Sequence, residues 1–169
     1  DSDVFKALEA MAYAIKTNKD PKLEAKADEW IDKIAAAQLE DGYLNTYYTL
    51  TNLDKRWSDM SMHEDYNAGH MIEAGVAYYE ATGKKKLLEV CIKWANYFDS
   101  VFGPGKKDWV TGHQELELAL VKLYRVTNDK KYLKSIKAPT KAVSNIPYSR
   151  AQNMLHNYTN YSWYQGDLI

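Results

Sequence analysis

Three short joints constrain this chain more than any other feature. Thr17-Asn18-Lys19-Asp20-Pro21-Lys22-Leu23, Thr82-Gly83-Lys84-Lys85-Lys86-Leu87-Leu88 and Thr127-Asn128-Asp129-Lys130-Lys131-Tyr132-Leu133 read alike. Each ends one amphipathic segment and opens the next within two or three residues. Connections this tight join antiparallel helical hairpins. Repeated hairpins stack into an open solenoid or close into a toroid. The interval between joints is irregular, whereas a solenoid of equal units would keep it constant. That favours the toroid.

The segments between the joints carry helical, not strand, periodicity. Val4, Leu8, Met11, Ala12 and Ile15 share one helical face, with Asp3 as the expected N-cap. Asp20-Pro21 reads as an N-cap followed by proline at the first helical position. Leu23, Ala27, Trp30, Ile31 and Ile34 form the next stripe, and Asp41-Gly42 ends that helix in a turn. Residues 41–60 read as an aromatic loop of mixed charge. A third helix is expected from Ser61 to Thr82, and a fourth over 85–101 with Leu87, Leu88, Cys91, Trp94, Ala95 and Phe98. Gly103-Pro104-Gly105 breaks the chain. A fifth helix is expected from Thr111 to Val126 and a short sixth from Asp129. The fold class is therefore all-α, with residues 1–137 as part of an (α/α)6 toroid. Residues 138–169 lose the periodicity, hold Pro139 and Pro147, and carry only Lys141, Arg150 and Asp167 as charged side chains. They read as an irregular tail. Its Asn157-Tyr-Thr and Asn160-Tyr-Ser match the glycosylation triplet, a weak signal in such a tail.

Composition excludes several classes. A net charge of -1 offers no electrostatic basis for a nucleic-acid or acidic-membrane partner. No apolar run approaches the roughly 20 residues that span a bilayer. Cys91 is the only cysteine, which excludes an intrachain disulfide and a multi-cysteine metal site. The compartment is left open. Aromatic usage is skewed to 14 Tyr and 5 Trp against 3 Phe, residues that join an apolar face to a polar handle. That suits sugar binding and equally suits wet helix interfaces.

The chemistry-bearing candidates cluster at two expected helix starts. Ser61-Met62-His63-Glu64 and Thr111-Gly112-His113-Gln114 both fit the capping box, which places His63 and His113 in first turns. The helix dipole favours neutral imidazole there, able to donate one hydrogen bond and accept another. His63, Tyr66, Asn67 and His70 follow i, i+3, i+4, i+7 and share one face, continued by Ala74 and Ala77. Counting back from the joints, Asp3, His70 and His113 lie 15, 13 and 15 residues before Asn18, Gly83 and Asn128. In stacked hairpins they are expected at similar heights, a polar rim above a small-residue interior. His63 and His70 are too far apart in sequence for a helical zinc pair, so no metal is expected at these positions. Glu64, Glu115 and Glu117 are candidate acids or bases, with capping or surface roles as the alternative. Trp30 and Trp94 are expected in the core, Trp109 is a candidate sugar platform, and Cys91 is expected to be inert.

Four blocks carry a family resemblance. They are Asp1-Ser2-Asp3-Val4-Phe5-Lys6, Gln38 to Tyr47, His63 to Ala74, and Gly112 to Leu120. In order and interval they resemble the beta-L-arabinofuranosidase family of glycoside hydrolases, over roughly residues 1–135, whereas the tail over 138–169 does not resemble it. The resemblance implies an (α/α)6 barrel and retaining hydrolysis of terminal beta-L-arabinofuranosides. It further implies a zinc-bound cysteine nucleophile, a glutamate acid/base, and histidines of the two Gly-His blocks lining the sugar. Those sugar-lining roles fall on His70 and His113, with His63, Tyr66 and Glu115 beside them as substrate-binding candidates. The zinc cysteines and the acid/base belong to later helices of such a barrel. The expectation for this chain is therefore a carbohydrate-binding segment, with zinc implied only for the complete enzyme, no cofactor of its own, and no turnover. Self-association through uncovered helix faces is expected as well. A helical-repeat interaction module, or another (α/α)6 sugar enzyme such as an epimerase, is the alternative.

Overall fold

A computed structural model describes residues 1–103, 105–107, 109 and 113–133. The expected tail and its glycosylation triplets lie outside the described residues. Among the described residues there are six α-helices: α1 (Ser2–Thr17), α2 (Pro21–Ala37), α3 (Thr46–Thr51), α4 (Glu64–Thr82), α5 (Lys86–Val101) and α6 (Glu115–Thr127). Among the described residues there is no strand, only an isolated bridge between Phe102 and Lys107.

The joints make the expected hairpins. Asp20 caps α2 by accepting hydrogen bonds from the Lys22 and Leu23 amides, and Pro21 occupies the first helical turn. Gly83 closes α4 at φ +76°, a left-handed conformation that suits glycine. The direction of each helix follows from which residues meet. Lys6 reaches Tyr66 and Lys16 reaches Glu80, so α1 and α4 run parallel. Gly69 lies against Glu115, and Glu73 meets Lys122, so α4 and α6 run parallel too. Lys86 binds Asp32, and Gln38 donates to the Val90 carbonyl, so α2 and α5 form a second parallel set. The Cys91 thiol donates to the Met71 carbonyl at 3.3 Å, while Gly75 faces Leu87. α5 therefore runs opposite to α4. Alternation of this kind produces two layers, α1, α4 and α6 inside and α2 and α5 outside, as in part of an (α/α)6 toroid.

α4 is the centre of this arrangement. Ala68, Gly69, Met71, Ile72, Ala74, Gly75, Val76, Ala77 and Tyr78 are all buried, on every side of the helix. Its small residues let its neighbours approach. A Cβ on Gly75 would lie 2.5 Å from Cys91 Sγ, and one on Gly69 would lie 2.6 Å from Glu115 Cγ.

Several sequence expectations need correction. α1 starts at Ser2, not after Asp3, and its N-cap is Asp1. The Asp1 carboxylate accepts from the amide and hydroxyl of Thr46, tying the start of α1 to α3. Phe5, not Val4, faces the core, and Val4 is 43% exposed. Residues 41–60 are not all loop. Asn45 caps the short α3 through the Tyr48 amide, and 3₁₀ turns follow at Leu53–Lys55 and Met60–Met62. Six residues are too few for helical periodicity to show. α4 starts at Glu64 and α6 at Glu115, each three or four residues later than expected.

Those later starts dismantle the first capping box. Ser61 bonds Asp59, and the Glu64 carboxylate accepts from the Tyr43 hydroxyl and the Trp57 amide. Glu64 thus holds the 38–63 connection onto the top of α4. Trp57, at φ +60°, anchors that connection among Tyr43, Phe98, Phe102 and Trp109. Its indole donates to the Tyr97 hydroxyl at 2.9 Å.

Candidate functional site

Because α1, α4 and α6 are parallel, their N-terminal ends meet at one end of the inner layer. The chain enters α4 and α6 there through the 38–63 and 102–114 connections. At this mouth His63, Tyr66, His70 and His113 form one cluster. His63 and His113 stack with ring centroids 5.2 Å apart. Tyr66 touches His113 at 4.9 Å and meets His70 edge-on at 4.5 Å. Lys6 of α1 donates to the Tyr66 hydroxyl at 2.8 Å, so all three inner helices contribute.

Neither His63 nor His113 lies inside a first helical turn, as the capping boxes implied. His63 is the left-handed residue preceding α4, at φ 58° and ψ 34°, and His113 precedes Gln114, the cap of α6. The height matching shifts with them. Glu115, not His113, is level with Gly69 and His70, and His113 sits above them against Tyr66. The count from the joints in fact pairs these two, since Glu115 stands 13 residues before Asn128 and His70 stands 13 before Gly83, whereas His113 stands 15 before Asn128.

Beneath the histidines lies a charged layer. His70 Nδ1 is 3.1 Å from Glu115 Oε1 and 3.8 Å from Glu73 Oε2. The Glu73 and Glu115 carboxyls hydrogen-bond to each other, and Lys122 of α6 donates to Glu73. Burial, then the neighbouring Glu73, raises Glu115 to about 8. Burial also pushes Glu73 upward, but bonds from Glu115 and Lys122 outweigh it and leave Glu73 below its usual value. One proton is therefore held between the two carboxyls. Burial, with Lys6 nearby, lowers His70, so its imidazole is neutral. Further down, a cleft of about 150 Å³ opens among α1, α4 and α6, lined by Tyr13, Glu73, Ala77, Glu80, Lys122 and Arg125.

The other candidates go elsewhere. Glu64 is structural, as described. Glu117 faces Asp65 in the interior rather than the mouth, and burial raises it to about 7. Trp109 is 8% exposed and its indole donates to Asp65, so it is packed core and not an open sugar platform. Trp94 is core as expected, while Trp30 is only partly buried. Glu73, Lys122 and Lys6 escaped sequence reading. Glu73 does lie three residues after His70, but only the packing of three helices brings the two lysines and Glu115 to it.

Comparison with known proteins agrees with this fold. The profile described as beta-L-arabinofuranosidase, GH127 catalytic domain, matches residues 1–160. The chain belongs to this family. That match runs past residue 135, where the resemblance read from the sequence ends. A non-reducing end beta-L-arabinofuranosidase of Bifidobacterium longum subsp. longum is 46% identical over 142 residues, covering 79% of this chain and 21% of that protein. A GH127 beta-L-arabinofuranosidase structure from Geobacillus stearothermophilus T6 superposes with TM-score 0.80 at 51% identity, over 82% of this chain and 22% of that one. A second GH127 beta-arabinofuranosidase structure gives TM-score 0.81 at 40% identity, over 90% and 26%. The chain thus spans about a fifth to a quarter of the length of these GH127 relatives.

Proposed function

We propose that this chain forms the histidine-lined wall of an arabinofuranoside site in a GH127 glycoside hydrolase barrel, without the nucleophile or the acid/base. One observation carries the reading: His63, Tyr66, His70 and His113, from two separate helix starts, meet at one mouth. Imidazole nitrogens and a tyrosine hydroxyl offer both donors and acceptors to sugar hydroxyls. An interaction module would have no need to gather these groups into one cluster. Glu115 belongs to the same wall, beside His70.

The chain's own residues bind and orient sugar in this reading. The zinc thiolate implied for the family does not fit Cys91. That thiol is fully buried between α4 and α5, donates to the Met71 carbonyl, and is raised by desolvation, the reverse of a metal-bound thiolate. No chemical step is therefore derived through zinc, and the chain alone is expected to turn over no arabinofuranoside. The fold does bring Glu9, His70 and Glu73 ligand atoms within 4.8 Å of one another. Lys122 already supplies a cation to Glu73, so the proposal assigns no metal there. No helix among the described residues is long and apolar enough to cross a membrane. Self-association is part of the proposal too, with exposed Val4 and Tyr13 on α1 and Leu118 on α6 as the apolar contacts.

The test is a titration of the ¹⁵N-labelled chain with methyl beta-L-arabinofuranoside, followed by NMR. His63, His70 and His113 signals are expected to shift together, and His113→Ala to abolish the effect at His63. Equal shifts with an unrelated hexose would refute a specific site.

A further inference from the structure

The geometry points to Glu115 as a positioning residue that fixes the tautomer of His70, placing the proton on Nδ1 and leaving Nε2, buried and unpartnered, as the acceptor a sugar hydroxyl would meet once its entry uncovers that edge of the ring. This deepens the proposed function and rests on it only for the role of Nε2.

The case begins with backbone approach. Gly69 is the residue that lets α6 start directly against α4, since a Cβ there would come 2.6 Å from Glu115 Cγ and 3.0 Å from its carbonyl carbon. That contact delivers Glu115 to the side of His70, 3.1 Å from Nδ1. Both His70 nitrogens and Glu115 Oε1 are buried with no aligned hydrogen-bond partner. A buried imidazole and a buried carboxyl oxygen are each costly unpaired, and their remedy is a small turn of the His70 ring. Contacts of this kind commonly tighten when a ligand enters.

The chemistry of the neighbours sets the direction of the bond. Glu115 shares one proton with Glu73 along the contact between their carboxyls. Its remaining oxygen, Oε1, has only acceptor capacity to offer His70. An acceptor facing Nδ1 selects the Nδ1–H tautomer. Glu73 Oε2, at 3.8 Å, acts in the same sense. Lys122 from α6 neutralises Glu73, with Glu9 from α1 at 4.0 Å from the ammonium. Lys6 from α1 and His113 above both oppose a positive charge on His70, so the ring stays neutral and tautomer choice is the variable that matters.

Histidine tautomers are read directly from two-bond ¹H–¹⁵N correlations of the ring. In the 169-residue chain at neutral pH, His70 is expected to carry its proton on Nδ1. Glu115→Leu removes the acceptor, and the proton is expected to move to Nε2. Glu115→Gln mimics the protonated acid, since its amide can donate to Glu73 while its oxygen faces His70, and is expected to retain the Nδ1–H form. With methyl beta-L-arabinofuranoside, Glu115→Leu should raise Kd about tenfold, the loss of one hydrogen bond, and Glu115→Gln should restore it. A wild-type His70 protonated on Nε2 overturns the inference, and this measurement needs no variant to fold. An unchanged tautomer in a folded Glu115→Leu chain overturns it equally. The expected tautomers together with no arabinofuranoside binding would sustain the positioning role while refuting the sugar-site reading.

Discussion

Gly69→Ala separates packing from helix propensity because the two predict opposite signs. In a helix interior, alanine is favoured over glycine by about 1 kcal/mol, so propensity alone predicts stabilisation. The structure predicts otherwise. The new Cβ would lie 2.6 Å from Glu115 Cγ, 3.0 Å from the Glu115 carbonyl carbon and 3.1 Å from its oxygen. The side-chain atom can move, but the backbone of the first turn of α6 cannot without shifting the helix. Overpacking of this kind costs about 1–3 kcal/mol, and a backbone obstacle argues for the upper end. Subtracting the propensity gain leaves a net loss of about 2 kcal/mol. With a urea slope of about 2 kcal/mol/M, the unfolding midpoint should fall by about 1 M. Gly83→Ala is the control. Its Cβ would meet nothing within 4 Å, and its φ of +76° makes alanine costly by about 1 kcal/mol through conformation alone. Urea unfolding followed by far-UV circular dichroism measures both. A Gly69→Ala midpoint equal to wild type or higher would refute the close approach of α6 to α4, and with it the delivery of Glu115 to His70.

The carboxyl groups raised by burial make a pH prediction. Glu115 at about 8 and Glu117 at about 7 bind protons in the folded chain that an unfolded chain releases near 4.5. Their contribution is therefore present at pH 4 and lost as pH rises from about 5 to 8. Glu115→Gln with Glu117→Gln should flatten that decline in thermal unfolding scans, and an equal slope in both proteins would contradict it. Glu64→Ala leaves the Trp57 amide and the Tyr43 hydroxyl without their acceptor, an expected loss of about 3 kcal/mol in urea unfolding. A loss under 1 kcal/mol would show that Glu64 does not hold the connection. Cys91 should resist a thiol reagent in the native chain and react on unfolding, and rapid stoichiometric labelling under native conditions would place it wrongly.

The sequence by itself determined the five long helices, their hairpin pairing and the family. Periodicity over 15 or more residues, the Asp20-Pro21 start and the Gly83 stop are local signals, written within a few positions of where they act. It also picked out His63, Tyr66, His70, Glu115 and His113. It failed where the partner of a residue was remote. Glu64 matched a local capping pattern, yet its carboxylate is used by Tyr43 and Trp57. Trp109 looked like a platform, but Asp65 and the Trp57 ring enclose it. The tertiary structure alone decided that α1, α4 and α6 run parallel with their starts together. Only there do Lys6, Glu73, Glu115 and Lys122, from three helices, surround one imidazole. The physical reason is range. Caps and stripes act within a turn or two of chain, whereas the charge and protonation of His70 depend on groups some 45–64 residues away, which only packing brings within a few ångströms.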